Sequence, residues 1–221
     1  MKIIYWSDFN CPYSYMGYVQ LKKAIRELKL DIELEMKAFE IEPNLDDEIT
    51  PMINYYAGKY GIPESEAKSR LEEIDDIAKE EGLNIEYSNA KVTSSKDAHR
   101  LVKLAMSRNI PSLADSIIEK TYNAFLCENK PLAEKEVLIE IGTSQGLGKD
   151  EITEMLDSNR YEVEVQLDEE DAILNGVEAV PCYFIKNGSE TLVIPGALSK
   201  EGFKNSLKDL KSGDIESKTF L

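Results

Sequence analysis

Basic side chains are scarce in this chain relative to acidic ones, and the imbalance excludes two classes of partner. The 221 residues include 26 lysines and arginines but 42 aspartates and glutamates, so the formal net charge is -16 at pH 7. Nucleic acid and anionic membrane surfaces would repel such a chain, and we expect neither as a partner. No apolar run is long enough to span a bilayer, and the N-terminus does not have the form of a signal peptide.

Cysteine is also scarce, which limits the disulfide and metal chemistry that the chain can support. The three cysteines are Cys11, Cys127 and Cys182, and their spacing does not match a zinc site. A small secreted disulfide scaffold would need more cysteines, in even number. A phosphate-binding glycine loop is absent too, because Gly146-Leu147-Gly148 lacks a preceding strand and a following Lys-Ser or Lys-Thr pair. We therefore expect a cytoplasmic protein without a metal or a nucleotide cofactor.

The N-terminal part of the sequence has the pattern of a strand, a helix and a second strand. Residues 2–7 form an apolar run, and residues 12–28 carry apolar side chains at helical spacing. In residues 31–39 apolar side chains alternate with charged ones, which is typical of a half-buried strand. This order predicts a right-handed crossover that joins two parallel strands.

A long helical stretch follows, and then strand patterns return. Within the helical stretch, apolar residues share one helix face at Ala98, Leu101, Val102 and Ala105. Residues 180–185 form a strand-like run that leads into Asn187-Gly188, a pair typical of hairpin turns. Residues 191–194 supply the returning strand and residues 200–211 a final helix, whereas the chain from Gly213 is expected to fray.

Cys11 lies at the junction between the first strand and the first helix. Helical N–H groups without partners and the positive end of the macrodipole meet at such a junction, and both favour a thiolate over a thiol. Pro12 suits the first helical turn because its fixed φ already matches the helix. We therefore expect Cys11 to be acidic and reactive. The alternative is that Cys11 only fills the junction as a small buried apolar residue.

The order of elements and the motif at Cys11 resemble the DsbA family of thioredoxin-fold proteins, and within it the FrnE-like branch. That branch is related to the 2-hydroxychromene-2-carboxylate isomerases and the kappa-class glutathione transferases. The segments that carry the resemblance span nearly the whole chain: Ser7-Asp8-Phe9-Asn10-Cys11-Pro12-Tyr13-Ser14-Tyr15-Met16-Gly17, Phe39-Glu40-Ile41-Glu42-Pro43, Lys59-Tyr60-Gly61, Glu81-Gly82-Leu83, Asp97-Ala98-His99-Arg100-Leu101, Val180-Pro181 and Ile194-Pro195-Gly196-Ala197. The resemblance implies an α/β fold, a thioredoxin domain at residues 1–43 and 160–221 with a large all-helical insertion at 44–159.

The motif Cys11-Pro12-Tyr13-Ser14 departs from both relatives. Redox members of the family carry a second cysteine where this chain has Ser14, whereas the isomerases and transferases carry serine at the position of Cys11. Without a second cysteine, Cys11 can form a mixed disulfide that only an external thiol, such as glutathione, would release. Ser14 cannot resolve that disulfide, but its hydroxyl can donate to the Cys11 sulfur and favour the thiolate.

The resemblance assigns Val180-Pro181 to the loop that faces the nucleophile, and we expect a cis bond there although an arbitrary X-Pro bond is cis in only about 5% of cases. Cys182 is either a substitute resolving thiol or, as we favour, a buried strand residue whose side chain points away. Cys127 is expected in the core.

His99, the single histidine, either helps to hold a substrate or packs beside an apolar helix face. Arg100 either binds a substrate carboxylate or pairs with Asp97, and we favour the pair.

These observations predict a cytoplasmic thiol–disulfide oxidoreductase of the reductase or isomerase type. Cys11 and Ser14 are the catalytic residues, and Pro12, Tyr13, Val180, Pro181 and His99 bind the substrate or glutathione. We expect no tightly bound cofactor, glutathione or another small thiol as co-substrate, and a protein or small molecule with a thiol or disulfide as substrate. The alternatives are a glutathione-dependent isomerase or transferase for a small unsaturated compound, and a redox-inactive binding module. A homodimer is left open.

Overall fold

The computed structural model describes residues 1–212, and the expectation for residues from Gly213 lies outside them. Within that range the strands are β1 (Lys2–Ser7), β2 (Glu33–Ala38), β3 (Thr50–Pro51), β4 (Lys91–Val92), β5 (Cys182–Asn187) and β6 (Glu190–Pro195). The helices are α1 (Pro12–Leu28), α2 (Met52–Tyr60), α3 (Glu64–Glu80), α4 (Lys96–Met106), α5 (Pro111–Leu126), α6 (Lys135–Ser144), α7 (Lys149–Leu156), α8 (Glu162–Leu174) and α9 (Lys200–Ser212). None of these helices is long and apolar enough to cross a membrane.

The chain divides into two compact units, Met1–Ile41 with Asp168–Leu221 and Glu42–Leu167. In the first unit a four-stranded sheet has the order β2-β1-β5-β6. β1 pairs in parallel with β2 and antiparallel with β5, and β5 and β6 form an antiparallel hairpin. The strand–helix–strand crossover and the late hairpin predicted from the sequence are both confirmed, as is the α/β class.

Helix α1 forms where the local sequence allows it to begin and to end. Pro12 occupies the first helical position, where a missing N–H costs nothing. At the other end Lys29 adopts a left-handed conformation with φ 51°. Its N–H donates back to the Arg26 carbonyl at 3.1 Å, and the N–H of Leu30 donates to the Ile25 carbonyl at 3.2 Å. The helix therefore ends at Leu28, and the left-handed Lys29 lets the chain turn back into β2.

Aromatic side chains fill the space between the sheet and α1. The rings of Tyr5 and Tyr183 stack with centroids 5.7 Å apart, and Phe203 of α9 meets Tyr183 edge-on at 5.1 Å. Gly17 of α1 lies directly against Tyr183, because an added Cβ there would sit 2.3 Å from the Tyr183 hydroxyl oxygen and 3.2 Å from Ala197 Cβ. Glycine at this position is thus what allows α1 to approach β5 so closely.

The second unit is mainly helical, with the apolar stripes that the sequence predicted facing inward. Ala98, Leu101, Val102 and Ala105 of α4 are all buried. Its helices are accompanied by a short antiparallel pair, in which Thr50 of β3 lies opposite Val92 of β4. Two-residue strands are too short to show an alternating pattern, so the sequence analysis anticipated only helices here. Helix α8 runs across the division between the units.

Gly17→Ala is expected to destabilise the protein by about 1–3 kcal/mol, because the new methyl group overlaps the Tyr183 hydroxyl. Gly58→Ala in α2 is the matched control, since nothing lies within 4 Å of an added Cβ there. It should stabilise the protein by about 0.5–1 kcal/mol through helix propensity. Chemical denaturation of both variants measures the difference. Adding Tyr183→Phe to Gly17→Ala should recover part of the loss, and equal stabilities of the two alanine variants would contradict the close contact.

Candidate active site at Cys11

Cys11 occupies the N-cap of α1, held by backbone hydrogen bonds on both sides. Its N–H donates to the Asp8 carbonyl at 3.2 Å, and its carbonyl accepts from the N–H of Ser14 at 3.1 Å. The residue has extended backbone angles, φ -98° and ψ 112°, as N-cap residues usually do. The turn between the end of β1 and the first turn of α1 therefore fixes the position of the thiol. Its side chain is nevertheless nearly buried, since the residue is 7% exposed.

The thiol of Cys11 faces the loop that precedes β5. Its sulfur donates a hydrogen bond to the carbonyl oxygen of Val180 at 3.5 Å, across 169 positions of sequence. The Val180-Pro181 peptide bond is cis, as predicted. The carbonyl of Pro181 in turn accepts from the N–H of Gly196 at 2.7 Å, which ties the loop to the end of β6. The structure thus brings Cys11, Val180 and Pro181 together in the first unit.

The expected acidity of Cys11 is wrong for this structure. Burial raises the pKa of the Cys11 thiol above its ordinary value, and the charge of Asp8 acts in the same direction. The Ser14 hydroxyl and the N–H groups of Ser14 and Tyr13 lower the pKa but do not outweigh burial. The helix N-terminus was a correct local signal, but desolvation of a nearly buried thiolate depends on packing that the local sequence does not reveal.

Ser14 is completely buried at the third position of α1. Its hydroxyl oxygen makes no hydrogen bond of ordinary geometry with the described residues. It lies close enough to the Cys11 sulfur to lower the pKa of that thiol. Burying a hydroxyl without a hydrogen-bond partner costs free energy of folding. The Ser14 hydroxyl is therefore available to donate to a thiolate at Cys11. The position that holds the resolving cysteine in redox relatives therefore supplies a hydrogen-bond donor here.

Cys182 lies on the opposite side of the sheet from α1. Its side chain packs with Trp6, Ala172 and Val177, whereas the next residue, Tyr183, faces α1. Successive side chains of a strand point to opposite faces, so the interpretation of Cys182 as a buried strand residue is confirmed. Burial raises the pKa of Cys182 to about 11. Cys127, expected in the core, is only half-buried at the end of α5.

The other predicted site residues differ in exposure. Pro12 is buried in the first turn of α1, and Val180 is half-buried. Tyr13 is 41% exposed, so its ring is accessible beside the Cys11 turn. His99 belongs to the second unit, where it is 2% exposed within α4. Its role in substrate binding stays a prediction.

Arg100 is a structural residue of the second unit. Its guanidinium contacts the Asp97 carboxylate at 2.6 Å and the carbonyl of Arg160 at 2.8 Å, and it also donates to the carbonyls of Met155 and Ser158. A buried guanidinium with its donors so used has little left for a substrate carboxylate. The pair with Asp97 is therefore confirmed. No cluster of histidine, cysteine and acidic side chains among residues 1–212 could hold a metal ion.

The sequence analysis assigned no role to Asp8, although this residue is fully buried beside Cys11. Its carboxylate accepts from the N–H groups of Asn10 at 3.2 Å and Ile41 at 2.8 Å. The sequence did contain a signal for this residue. Asp8 directly follows a buried strand and precedes Cys11 by three positions, and an aspartate is rarely buried unless it has a partner. The contact with Ile41 could not be found from sequence, since it depends on how β2 ends beside β1.

Comparison with known proteins places this geometry in a family. The DSBA-like thioredoxin domain matches residues 2–208. A probable DsbA oxidoreductase from Streptomyces coelicolor superposes with a TM-score of 0.86 at 25% identity, covering 96% of this chain and 90% of that one.

Two more distant structures share the fold. A 2-hydroxychromene-2-carboxylate isomerase has a TM-score of 0.68 at 14% identity, with 98% of this chain and all of the other covered (100%). The cytosolic disulfide reductase DsbM from Pseudomonas aeruginosa has a TM-score of 0.64 at 16% identity, with 96% of each chain covered. The thioredoxin fold inferred from the resemblance is confirmed, and the chain belongs to the family of DSBA-like thioredoxin domains.

Proposed function

We propose that this protein is a thiol–disulfide oxidoreductase that works by monothiol exchange through Cys11. The observation that carries the proposal is the Cys11 thiol at the N-cap of α1, hydrogen-bonded to the carbonyl before a cis proline. Family membership and the similarity to a probable DsbA oxidoreductase support an enzyme of the oxidoreductase or isomerase kind. The fold alone does not distinguish an oxidoreductase from an isomerase, because a 2-hydroxychromene-2-carboxylate isomerase has the same fold. Cys11 favours redox chemistry.

The proposed reaction has two exchange steps. Cys11 loses its proton to solvent, and its thiolate attacks one sulfur of a substrate disulfide, forming a mixed disulfide and releasing the other half as a thiolate. A thiolate of glutathione or a similar small thiol then attacks the substrate sulfur or the Cys11 sulfur. Attack on the Cys11 sulfur releases the substrate as a thiolate and leaves the small thiol bound to Cys11 as a disulfide. A second small thiol then attacks the bound small-thiol sulfur, so that Cys11 is released and the two small thiols leave as their disulfide. Attack on the substrate sulfur instead regenerates Cys11 and yields a disulfide between the substrate and the small thiol. Ser14 takes no part in resolution and instead donates to the Cys11 sulfur.

The raised pKa of Cys11 favours the reducing direction. A thiolate that the protein stabilises leaves readily from a mixed disulfide and makes the protein an oxidant. Here burial opposes the thiolate, so Cys11 is a poor leaving group and the mixed disulfide with a substrate persists until another thiol attacks it. A reducing compartment with abundant glutathione suits this cycle, which is why we place the protein in the cytoplasm.

Substrate binding is proposed for the surface around the thiol. Tyr13 offers an exposed ring, and Val180 with Pro181 offers the backbone that the thiol already contacts. A disulfide sulfur that approaches Cys11 must displace the weak hydrogen bond to the Val180 carbonyl. That displacement removes a bond which holds the thiol in its protonated form. Both protein and small-molecule disulfides could bind in this way. A role of His99 in substrate binding and the formation of a homodimer remain separate predictions.

A second candidate function follows from the Ser14 hydroxyl. In a glutathione-dependent isomerase or transferase the thiol of bound glutathione does the chemistry, and a protein hydroxyl supports it. Ser14 has an unused hydroxyl in the first turn of α1, and the fold is shared with a 2-hydroxychromene-2-carboxylate isomerase. Saturable binding of reduced glutathione that survives Cys11→Ser would support this alternative. Binding that disappears with Cys11→Ser would remove it.

The first test of the proposed function is the reaction of Cys11 with oxidised glutathione. Intact-mass analysis should show one glutathione added to the wild type, no adduct on Cys11→Ala, and an adduct retained by Cys182→Ala. Because the Cys11 pKa is raised, the adduct should form faster as the pH rises from about 7 to about 9. Loss of two hydrogens without an adduct would instead make Cys182 a resolving thiol. Failure of any adduct to form at high pH would leave the isomerase or a redox-inactive binding module.

The second prediction exchanges the motif itself. Ser14→Cys should restore a dithiol, so that oxidised glutathione yields an internal disulfide with Cys11 and a mass two hydrogens lower. Ser14→Ala is the control: it keeps the monothiol but removes the donor, so glutathione addition at neutral pH should slow about fivefold, as expected for one hydrogen bond of about 1 kcal/mol. A stable glutathione adduct on Ser14→Cys would mean that position 14 cannot reach the Cys11 sulfur.

A further inference from the structure

Asp8 joins two segments that are distant in sequence at the Cys11 turn. One carboxylate oxygen accepts from the N–H of Asn10 at 3.2 Å, and the other accepts from the N–H of Ile41 at 2.8 Å. The carbonyl of the same residue accepts from the N–H of Cys11 at 3.2 Å. Asp8 therefore contacts both the turn that starts α1 and the segment that follows β2.

The burial of Asp8 makes its charge effective at short range. Its side chain has no exposed surface, and Cys11, three residues later, is 7% exposed. Charges interact more strongly inside a protein than in water, because the effective dielectric constant is lower. The Asp8 charge is indeed one of the causes that raise the pKa of the Cys11 thiol. A chain that only needed to close the turn could use a neutral acceptor at this position.

We infer that Asp8 is a positioning residue of the Cys11 site, whose carboxylate fixes the Cys11 turn against residues 39–41 and whose negative charge opposes formation of the Cys11 thiolate. The inference rests on Cys11 as the reacting group of the proposed function. Asp8 acts through the backbone of the turn and through its charge. Its effect is to limit how much nucleophilic thiolate the protein holds at neutral pH.

The other groups that face Cys11 are of different kinds. The Val180 carbonyl accepts the thiol proton, and the Ser14 hydroxyl favours the thiolate. Tyr183 of β5 also interacts electrostatically with Cys11, and burial raises the Tyr183 pKa well above its ordinary value, which favours the neutral phenol. Replacement of Asp8 therefore removes a negative charge that faces Cys11 and leaves these three groups in place.

The test is the pH dependence of Cys11 alkylation by iodoacetamide, followed by peptide mass analysis. Asp8→Asn keeps the size of the side chain and removes its charge, so the midpoint of the profile should fall. At pH 7 the rate should then rise about threefold to tenfold, since one pKa unit corresponds to a factor of ten in thiolate. Asp31→Asn is the matched control, because Asp31 is an exposed acid between α1 and β2, and its profile should equal that of the wild type.

Cys182 reports in the same experiment whether the fold is intact. It is buried on the other face of the sheet and should stay unreactive in both variants at neutral pH. An unchanged midpoint in an Asp8→Asn protein whose Cys182 remains protected would overturn the inference. Alkylation needs no disulfide substrate, so a shifted midpoint would support the role of Asp8 even if glutathione exchange failed.

A second measurement uses the wild type, in case Asp8→Asn does not fold. The carboxyl carbon of Asp8 should show an NMR shift over the pH range in which Cys11 ionises, and Cys11→Ala should abolish that transition. The absence of a transition in the wild type would contradict electrostatic coupling. For the structural half of the inference, hydrogen exchange of the Ile41 amide should be slow in the wild type and faster in Asp8→Ala. Equal exchange would show that the 39–41 segment does not depend on the carboxylate.

Discussion

The pairing of β1 with both β2 and β5 is the constraint on which the Cys11 site depends. β1 ends at Ser7, so the turn that carries Asp8 and Cys11 starts at a fixed place in the sheet. β5 lies antiparallel beside it, with Cys182 opposite Trp6, and this register brings the preceding Val180-Pro181 bond to the same end. The contact between residues 11 and 180 is therefore a consequence of strand register.

Two opposing electrostatic effects meet at that thiol. The N–H groups of Tyr13 and Ser14 and the Ser14 hydroxyl favour the thiolate, whereas desolvation and the Asp8 charge oppose it. Desolvation is the largest of these effects, so the resting site holds a thiol that donates to the Val180 carbonyl. A substrate that displaces this hydrogen bond and admits water or polar groups would shift the balance toward the thiolate. The reactivity of Cys11 would then depend on whether a substrate occupies the site, as well as on its position at the helix terminus.

The regular elements around the site could be predicted from sequence because their causes are local. Apolar alternation, the Asn187-Gly188 turn and the helix start at Pro12 each act over a few residues. The cis bond before Pro181 followed from the family resemblance. Other features depend on tertiary packing. β5 was expected to begin with Val180 but begins at Cys182, after a proline that cannot donate to the sheet. The burial of Cys11 and the bond from Ile41 to Asp8 arise from neighbours that the sequence pattern does not specify.

Ser14, at the position where redox members of the family carry a second cysteine, suits the proposed monothiol reaction of a Cys11 that rests as the thiol. A dithiol site gains from an acidic first cysteine, because a low pKa makes that sulfur a good leaving group when the second cysteine attacks. A monothiol site has no internal attack to assist, and its mixed disulfide must survive until an external thiol arrives. A sulfur with a raised pKa leaves slowly and attacks strongly once ionised, since nucleophilicity increases with pKa. Three features therefore prolong the mixed disulfide in this proposal. Burial of Cys11 and the charge of Asp8 make its sulfur a poor leaving group, and position 14 carries no second thiol that could attack it.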